Sequence, residues 1–181
     1  MAITPILDAK LLGEMVPGEL IRFPAGGAMV LGIVAGCDHM GIASGLVIVL
    51  LGDLPDQSGV VGRFLPINEF MMSKTGLSYG REHIVVVHPS APAAEPSDER
   101  FATDGALLVA AGARALRTRI LRDDLSDILL TIDIDTWKAV RSAPPHRPPW
   151  RVAVLAWEIR LVTDVSINPP LPPVATFRTR D

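Results

Sequence analysis

Three apolar runs near the start of the chain, 19–23, 28–35 and 46–51, are separated by clusters of turn-forming residues. In the first run, a strand would send successive side chains to opposite faces. Leu20 and Arg22 share one strand face and Glu19, Ile21 and Phe23 the other, the pattern of a half-exposed strand. Pro24-Ala25-Gly26-Gly27 ends it: proline removes a ladder donor and the paired glycines accept positive φ, which suits a hairpin. The other two runs are apolar on both faces, which a strand tolerates only when covered above and below. The pattern predicts a three-stranded antiparallel meander inside a barrel, a sandwich core or a subunit interface.

The stretch 28–51 is about long enough to span a bilayer. Asp38 and His39 interrupt it, each apolar half is too short to span alone, and its Val and Ile content favours strands, so a buried sheet is expected and no membrane span. Upstream, Thr4-Pro5 followed by Ile6, Leu7, Leu11 and Leu12 reads as an N-cap, a proline at the first helical position and a short helix ending near Gly13, whose apolar side chains plug a barrel end or cover a sheet edge. Downstream, 54–80 is a long connection with a helical turn at 67–73, and its Phe64, Phe70, Met71 and Met72 supply a satellite core or an interface. Residues 83–88 read as a fourth strand, and 90–104 has the small, proline-rich and charged composition of a linker.

Beyond the linker the first pattern returns. With Gly105 set on Gly18, Ala106-Leu107-Leu108 overlies Glu19-Leu20-Ile21, and Leu116, Ile120 and Leu121 overlie Met29, Ile33 and Val34. Past a shortened loop, Ser126 falls on Ser44, Ile128-Leu129-Leu130 on Leu46-Val47-Ile48, and Asp135 on Asp53. Residues 151–162 then supply a fourth strand. The alanine-rich stretch 103–121 also offers a helical face of Val109, Ala113, Leu116 and Ile120. Gly105, Gly112 and the alternation of Arg117 and Arg119 with apolar neighbours favour a strand pair. Matching polar to polar in that hairpin sets Arg117 opposite Asp133, Arg119 opposite Thr131 and Leu121 opposite Leu129.

The expected fold is therefore all-β: a duplicated antiparallel meander forming two small SH3-like or barrel-like halves, or one larger barrel, with short helices. The expected organisation is a first half over 1–89, a linker over 90–104, a second half over 105–164 and a proline-rich extended tail over 165–181. The tail favours polyproline II structure and is expected to dock through Leu171, Val174 and Phe177.

Composition narrows the function classes. The chain has 181 residues, 49% hydrophobic and 20% charged, enough apolar material for a sizeable core. A net charge of −3 gives no field for polyanions, so no nucleic-acid partner is expected. The single Cys37 cannot form an internal disulfide, and the first residues lack the basic start and apolar core of a signal peptide, so a cytoplasmic setting is expected. Three lysines against many arginines, with abundant Ala, Gly and Pro, suggest a GC-rich bacterial genome.

The sharpest chemical candidate is Cys37-Asp38-His39, a thiol, a carboxylate and an imidazole between two apolar strands, where a metal ion or a nucleophile–base pair is conceivable. The spacing completes no known ligand set, and a turn in which Asp38 bonds local backbone and Cys37 packs as a small apolar residue is the favoured explanation. Asp133 and Asp135, with Asp127, share a strand face suited to a divalent cation, and salt bridges to Arg117 and Arg119 are the competing explanation. His83 and His88 lie five apart, on opposite strand faces, and His146 sits in a proline loop near Trp150. No phosphate-loop, nucleophile-elbow or zinc-protease motif is present, so no metal and no catalytic residue is assigned and no cofactor is identified. Two functions are expected: a non-enzymatic structural or protein-interaction module, self-assembling into a homo-oligomer through Phe70, Leu171, Val174 and Phe177, or a small-molecule- or metal-binding enzyme at Cys37, Asp38 and His39.

Overall fold

The computed structural model describes residues 7–38, 40–121, 128–140, 150–162 and 171–179. The chain is mainly β, with fifteen strands among the described residues, in one sheet of twelve and one of three. The opening meander forms, but its first strand is not half-exposed: Leu20 is buried in one apolar cluster and Ile21 and Phe23 in the other. β2 (Leu20–Ala25) turns through Gly26 and Gly27 into β3 (Ala28–Gly36), which pairs antiparallel with β4 (Leu46–Leu50). Both turn glycines have positive φ, +55° and +81°, a conformation that strains any residue with a Cβ.

Both faces of β3 and β4 are covered. Ile33, Ala35, Val47 and Val49 enter an apolar cluster shared with Leu116, Ile120, Leu130 and Ile132 from the second half of the chain. Val34, Ile48 and Leu50 point the other way, into a cluster with Leu12, Phe23, Val60 and Ile67. These two clusters are why the second and third runs carry no polar side: each face meets its own core.

The expected N-terminal helix is corrected. Among the described residues of that stretch, β1 (Asp8–Leu11) is a strand, followed by a single helical turn at Leu12–Glu14. β1 pairs antiparallel with β6 (Thr75–Ser78), which also pairs with β2. Lys10 Nζ donates at 2.5 Å to Glu19, a buried carboxylate whose other oxygen accepts from the Val16 N–H. Pairing with a distant strand and this ion pair override the helical spacing of Leu7, Leu11 and Leu12. Leu12 plugs the core, whereas Leu7 and Leu11 are exposed.

The long connection holds β5 (Phe64–Pro66), paired with β4, and a four-residue helix α1 (Glu69–Met72), N-capped by the Asn68 side chain, which accepts from the Met71 N–H. After it come β7 (His83–Val86) and, inside the expected linker, β8 (Ala93–Ala94). The second half then runs β9 (Leu107–Ala110), β10 (Ala113–Arg119), β11 (Leu129–Asp133), β12 (Lys138–Val140), β13 (Val152–Val154) and β14 (Ala156–Leu161). Residues 107–119 are thus two strands and not a helix. The tail contributes β15 (Ala175–Arg178).

Pairings recur in order. In the first stretch they run β1 with β6, β6 with β2, β2 with β3, β3 with β4 and β4 with β5; in the second, β8 with β13, β13 with β9, β9 with β10, β10 with β11 and β11 with β12. Gly18 and Gly105 both have positive φ, and each donates its N–H across to the next hairpin strand, to Val34 O and to Arg117 O. Leu107 faces Leu116 as Leu20 faces Ile33. The second hairpin is therefore the shorter, and Leu116 corresponds to Ile33 instead of Met29. Two parallel bridges cross between the stretches, Phe64 with Ile120 and Lys138 with Gly36. The strand path of the large sheet runs openly from β1 to β8, and no closed barrel is found among the described residues.

The expected register of β10 on β11 is also corrected. Arg117 faces Thr131, Ala115 faces Asp133 and Arg119 faces Leu129. A shift of two positions keeps every side chain on its face, so the alternation could not distinguish the two pairings. The charges find other partners: Arg119 Nε lies 3.3 Å from Asp104, and Asp133 caps a local turn. Thr118, beside them in β10, is fully buried and its hydroxyl has no hydrogen-bond partner. Thr118→Val keeps the shape and removes that unsatisfied group, so it is expected to stabilise the fold by about 1 kcal/mol in urea denaturation; a loss of stability would show that the hydroxyl is satisfied in solution.

The three-stranded sheet is ordered β15–β14–β7, with β14 antiparallel to both neighbours. No helix among the described residues is long and apolar enough to cross a membrane.

Candidate functional site

The residues singled out in the sequence lie apart. Cys37 is 1% exposed in the shared core, with its N–H on Gly45 O at 2.7 Å; Asp38 is exposed; His39 lies outside the described residues. Asp127, His146 and the loop 142–149 are also outside them. Among the described residues no group of three His, Cys, Asp or Glu side chains is placed to hold a metal ion. Phe70 is 71% exposed, with Lys74 Nζ 4.2 Å above its ring. Leu171, Val174 and Phe177 are used within the chain. Leu171 O accepts from Arg160, Val174 packs on the core, and Phe177 stacks on Trp157 at 5.4 Å. Arg160 also donates to Glu158 at 2.6 Å. That bond, with His88 helping and burial opposing, holds the Glu158 carboxyl below its usual range.

The chemistry converges elsewhere, in a cavity of about 420 Å³ lined by Gly18, Arg81, His83, Arg114, Asp135 and Trp137, with Ile84, Val85 and Ile134 as its apolar wall. Local sequence builds it. β11 ends in Asp133-Ile134-Asp135-Thr136, where Asp133 Oδ1 accepts from the N–H groups of Asp135 and Thr136 and from the Thr136 hydroxyl. That turn delivers Trp137 at φ +53°, the only non-glycine residue in the left-handed region among those described. Trp137 O accepts from Gly36 N–H at 2.9 Å, which anchors the strained residue to the end of β3.

The indole then lies over Gly18. A Cβ there would sit 3.0 Å from Trp137 Cδ1 and 3.3 Å from Arg81 Nε, so the close approach as well as the positive φ requires glycine. His83 meets the indole at 5.7 Å between ring centroids, tilted by 55°, and its Nδ1 is buried without a partner. Arg114 Nη2 binds Asp135 at 2.9 Å across the rim, and Arg81 is exposed at the mouth. With His83 neutral, two guanidinium groups against one carboxylate leave the lining with an excess positive charge, on a chain that is negative overall. Fixed cations, an indole face and an unused imidazole nitrogen can hold an anionic group beside a flat or apolar one.

Burial first, and Arg81 second, lower the His83 imidazole below its ordinary value of 6.5. The unfolded imidazole takes up a proton as pH falls through 6.5, whereas the folded one takes it only at lower pH. The unfolded state then binds more protons, and stability falls as pH drops through that window. Denaturation midpoints from about pH 8 to 5 are expected to show wild type losing stability relative to His83→Gln below about 6.5; parallel profiles would contradict the assignment.

Sequence reasoning placed His83 on a strand, as the structure has it, and Asp135 on a strand face, whereas Asp135 lies in the turn after β11; it did not bring the two together and missed Arg81, Arg114 and Trp137. A signal was available in the carboxylate-rich turn immediately before Trp137. Comparison with protein-family models, curated proteins and solved structures finds no match to this chain.

Proposed function

We propose that the protein is a non-enzymatic protein-interaction module, built from two copies of one β unit over 1–89 and 105–164, whose recognition site is the Trp137–His83 cavity. The duplication is supported by the recurring order of pairings and by the matched hydrogen bonds of Gly18 and Gly105. The observation that carries the function is the cavity, where a backbone-strained tryptophan and a buried, unpartnered imidazole nitrogen stand next to exposed arginine. Strain and unmet hydrogen-bonding capacity are costs that a bound partner offsets. Self-association is a further part of the reading, supported by exposed Leu11, Val16 and Phe70 around the packing of α1 on the Leu12–Glu14 turn. Sedimentation of wild type against Phe70→Ser tests it, and two identical monomer profiles would remove it.

The recognition site is tested by selecting binders from a displayed library of random 12-residue peptides and titrating the enriched peptide into isotopically labelled protein. The Trp137 indole Nε1–H signal, assigned with Trp137→Phe, is expected to move together with amides of 81–85 and 134–137. Shifts confined to other surfaces would sink the assignment.

A further inference from the structure

The three-stranded sheet has β14 in the middle and two edge strands, β15 and β7. Beyond β14 lies β15, paired from Ala156 with Arg178 to Ile159 with Ala175. Its Phe177 covers Gly105 so closely that a Cβ on that glycine would meet the ring at Cε2. β7, on the other side of β14, has no strand on its far edge among the described residues, and the glycine that corresponds to Gly105 is Gly18, on the wall of the cavity. Glu82 O accepts from Val162 N–H, so in the alternating antiparallel ladder Ile84 also turns its backbone groups to β14 and Val85 turns its own outward. Val85 lines the cavity too.

On the reading of this cavity as a recognition site, we infer that the far edge of β7 receives an extended, acidic peptide segment of a partner protein. The segment adds a strand beside Val85 and seats its acidic side chain at Arg81 and Arg114. The chain carries its own precedent in β15, an extended tail segment laid along β14. Edge pairing supplies backbone hydrogen bonds, and the cavity supplies side-chain selection. Charge picks the partner: Arg81 and Arg114 face one carboxylate, Asp135, so a basic segment meets repulsion and an acidic one is drawn in.

The probes are two synthetic peptides with blocked ends, both covering 172–179: the native sequence, and the same sequence carrying Arg178→Glu. The acidic peptide is expected to bind the full chain at least tenfold more tightly and to protect the Val85 amide from hydrogen exchange. Arg81→Glu, at an exposed position, is expected to reverse the preference between the two peptides. Exchange protection that appears on β14 while β15 is released, or affinity indifferent to either charge change, overturns the inference. Library peptides that move the Trp137 indole signal while leaving Val85 unprotected overturn the added strand alone and leave the recognition site standing. If neither kind of peptide moves that signal, both fall.

Discussion

Gly62→Ala is expected to abolish cooperative folding or to cost at least about 4 kcal/mol. Gly62 has φ +86°, and a Cβ there would lie 2.4 Å from Gly105 Cα and 2.6 Å from Gly105 N. Those atoms are backbone, so no rotamer change relieves the overlap. Gly105 is itself held by its N–H on Arg117 O and by its carbonyl, which accepts from Trp157 Nε1 at 2.8 Å. Gly27→Ala is the control: φ is +81°, but nothing lies within 4 Å of the new methyl group. It isolates the cost of the backbone conformation, about 1–2 kcal/mol. Urea denaturation of the two variants separates close approach from conformation, and equal losses would show that the approach of Gly62 to Gly105 is loose in solution.

Phe177→Ala is expected to destabilise by about 3–5 kcal/mol. The ring is 5% exposed, stacks on Trp157 at an interplanar angle of 19° and closes the space over Gly105. Its removal also loosens β15, whose ends are tied by Val174 N–H to Ile159 O and Thr179 N–H to Leu155 O. A double-mutant cycle sharpens the test. Gly105→Ala alone drives a methyl group into the Phe177 ring; with Phe177→Ala already present that clash is gone, while the strain of φ +84° remains. The second substitution should therefore cost at least 1 kcal/mol less in the Phe177→Ala background, by order of magnitude. Additive losses would mean that the tail does not rest on Gly105.

Local sequence carried what local physics decides. Short apolar runs and the glycine pair mark β2, β3 and β4, and the absence of polar residues from 28–35 and 46–51 announces cover on both faces, which the two apolar clusters supply. Gly18 and Gly105, which the sequence aligns, both have positive φ and each donates its N–H to a hairpin strand. What failed was decided at long range. β1 carries helix-compatible spacing but is held by β6 and Glu19; β6 itself, Thr-Gly-Leu-Ser, has no apolar run to mark it. The register of β10 on β11 missed by two positions because a period-two pattern is blind to that slip. The Cys37–Asp38–His39 cluster drew attention as polar residues between apolar strands, whereas the cavity is assembled from Gly18, Arg81, Arg114 and Trp137, whose neighbourhood exists only after the sheets have formed.

The crossed bridges of Phe64 with Ile120 and Lys138 with Gly36 also bear on synthesis. A ribosome delivers Phe64 long before its acceptor, and at about 5–20 residues per second the nascent chain waits for seconds with β5 unreceived. Gly36 waits longer still, until Lys138 has left the exit tunnel. Over that interval Val47, Val49 and Phe64 lack Leu116, Ile120, Leu130 and Ile132, the side chains that share their cluster in the folded chain, and an uncovered apolar strand edge is the kind of surface on which nascent chains associate.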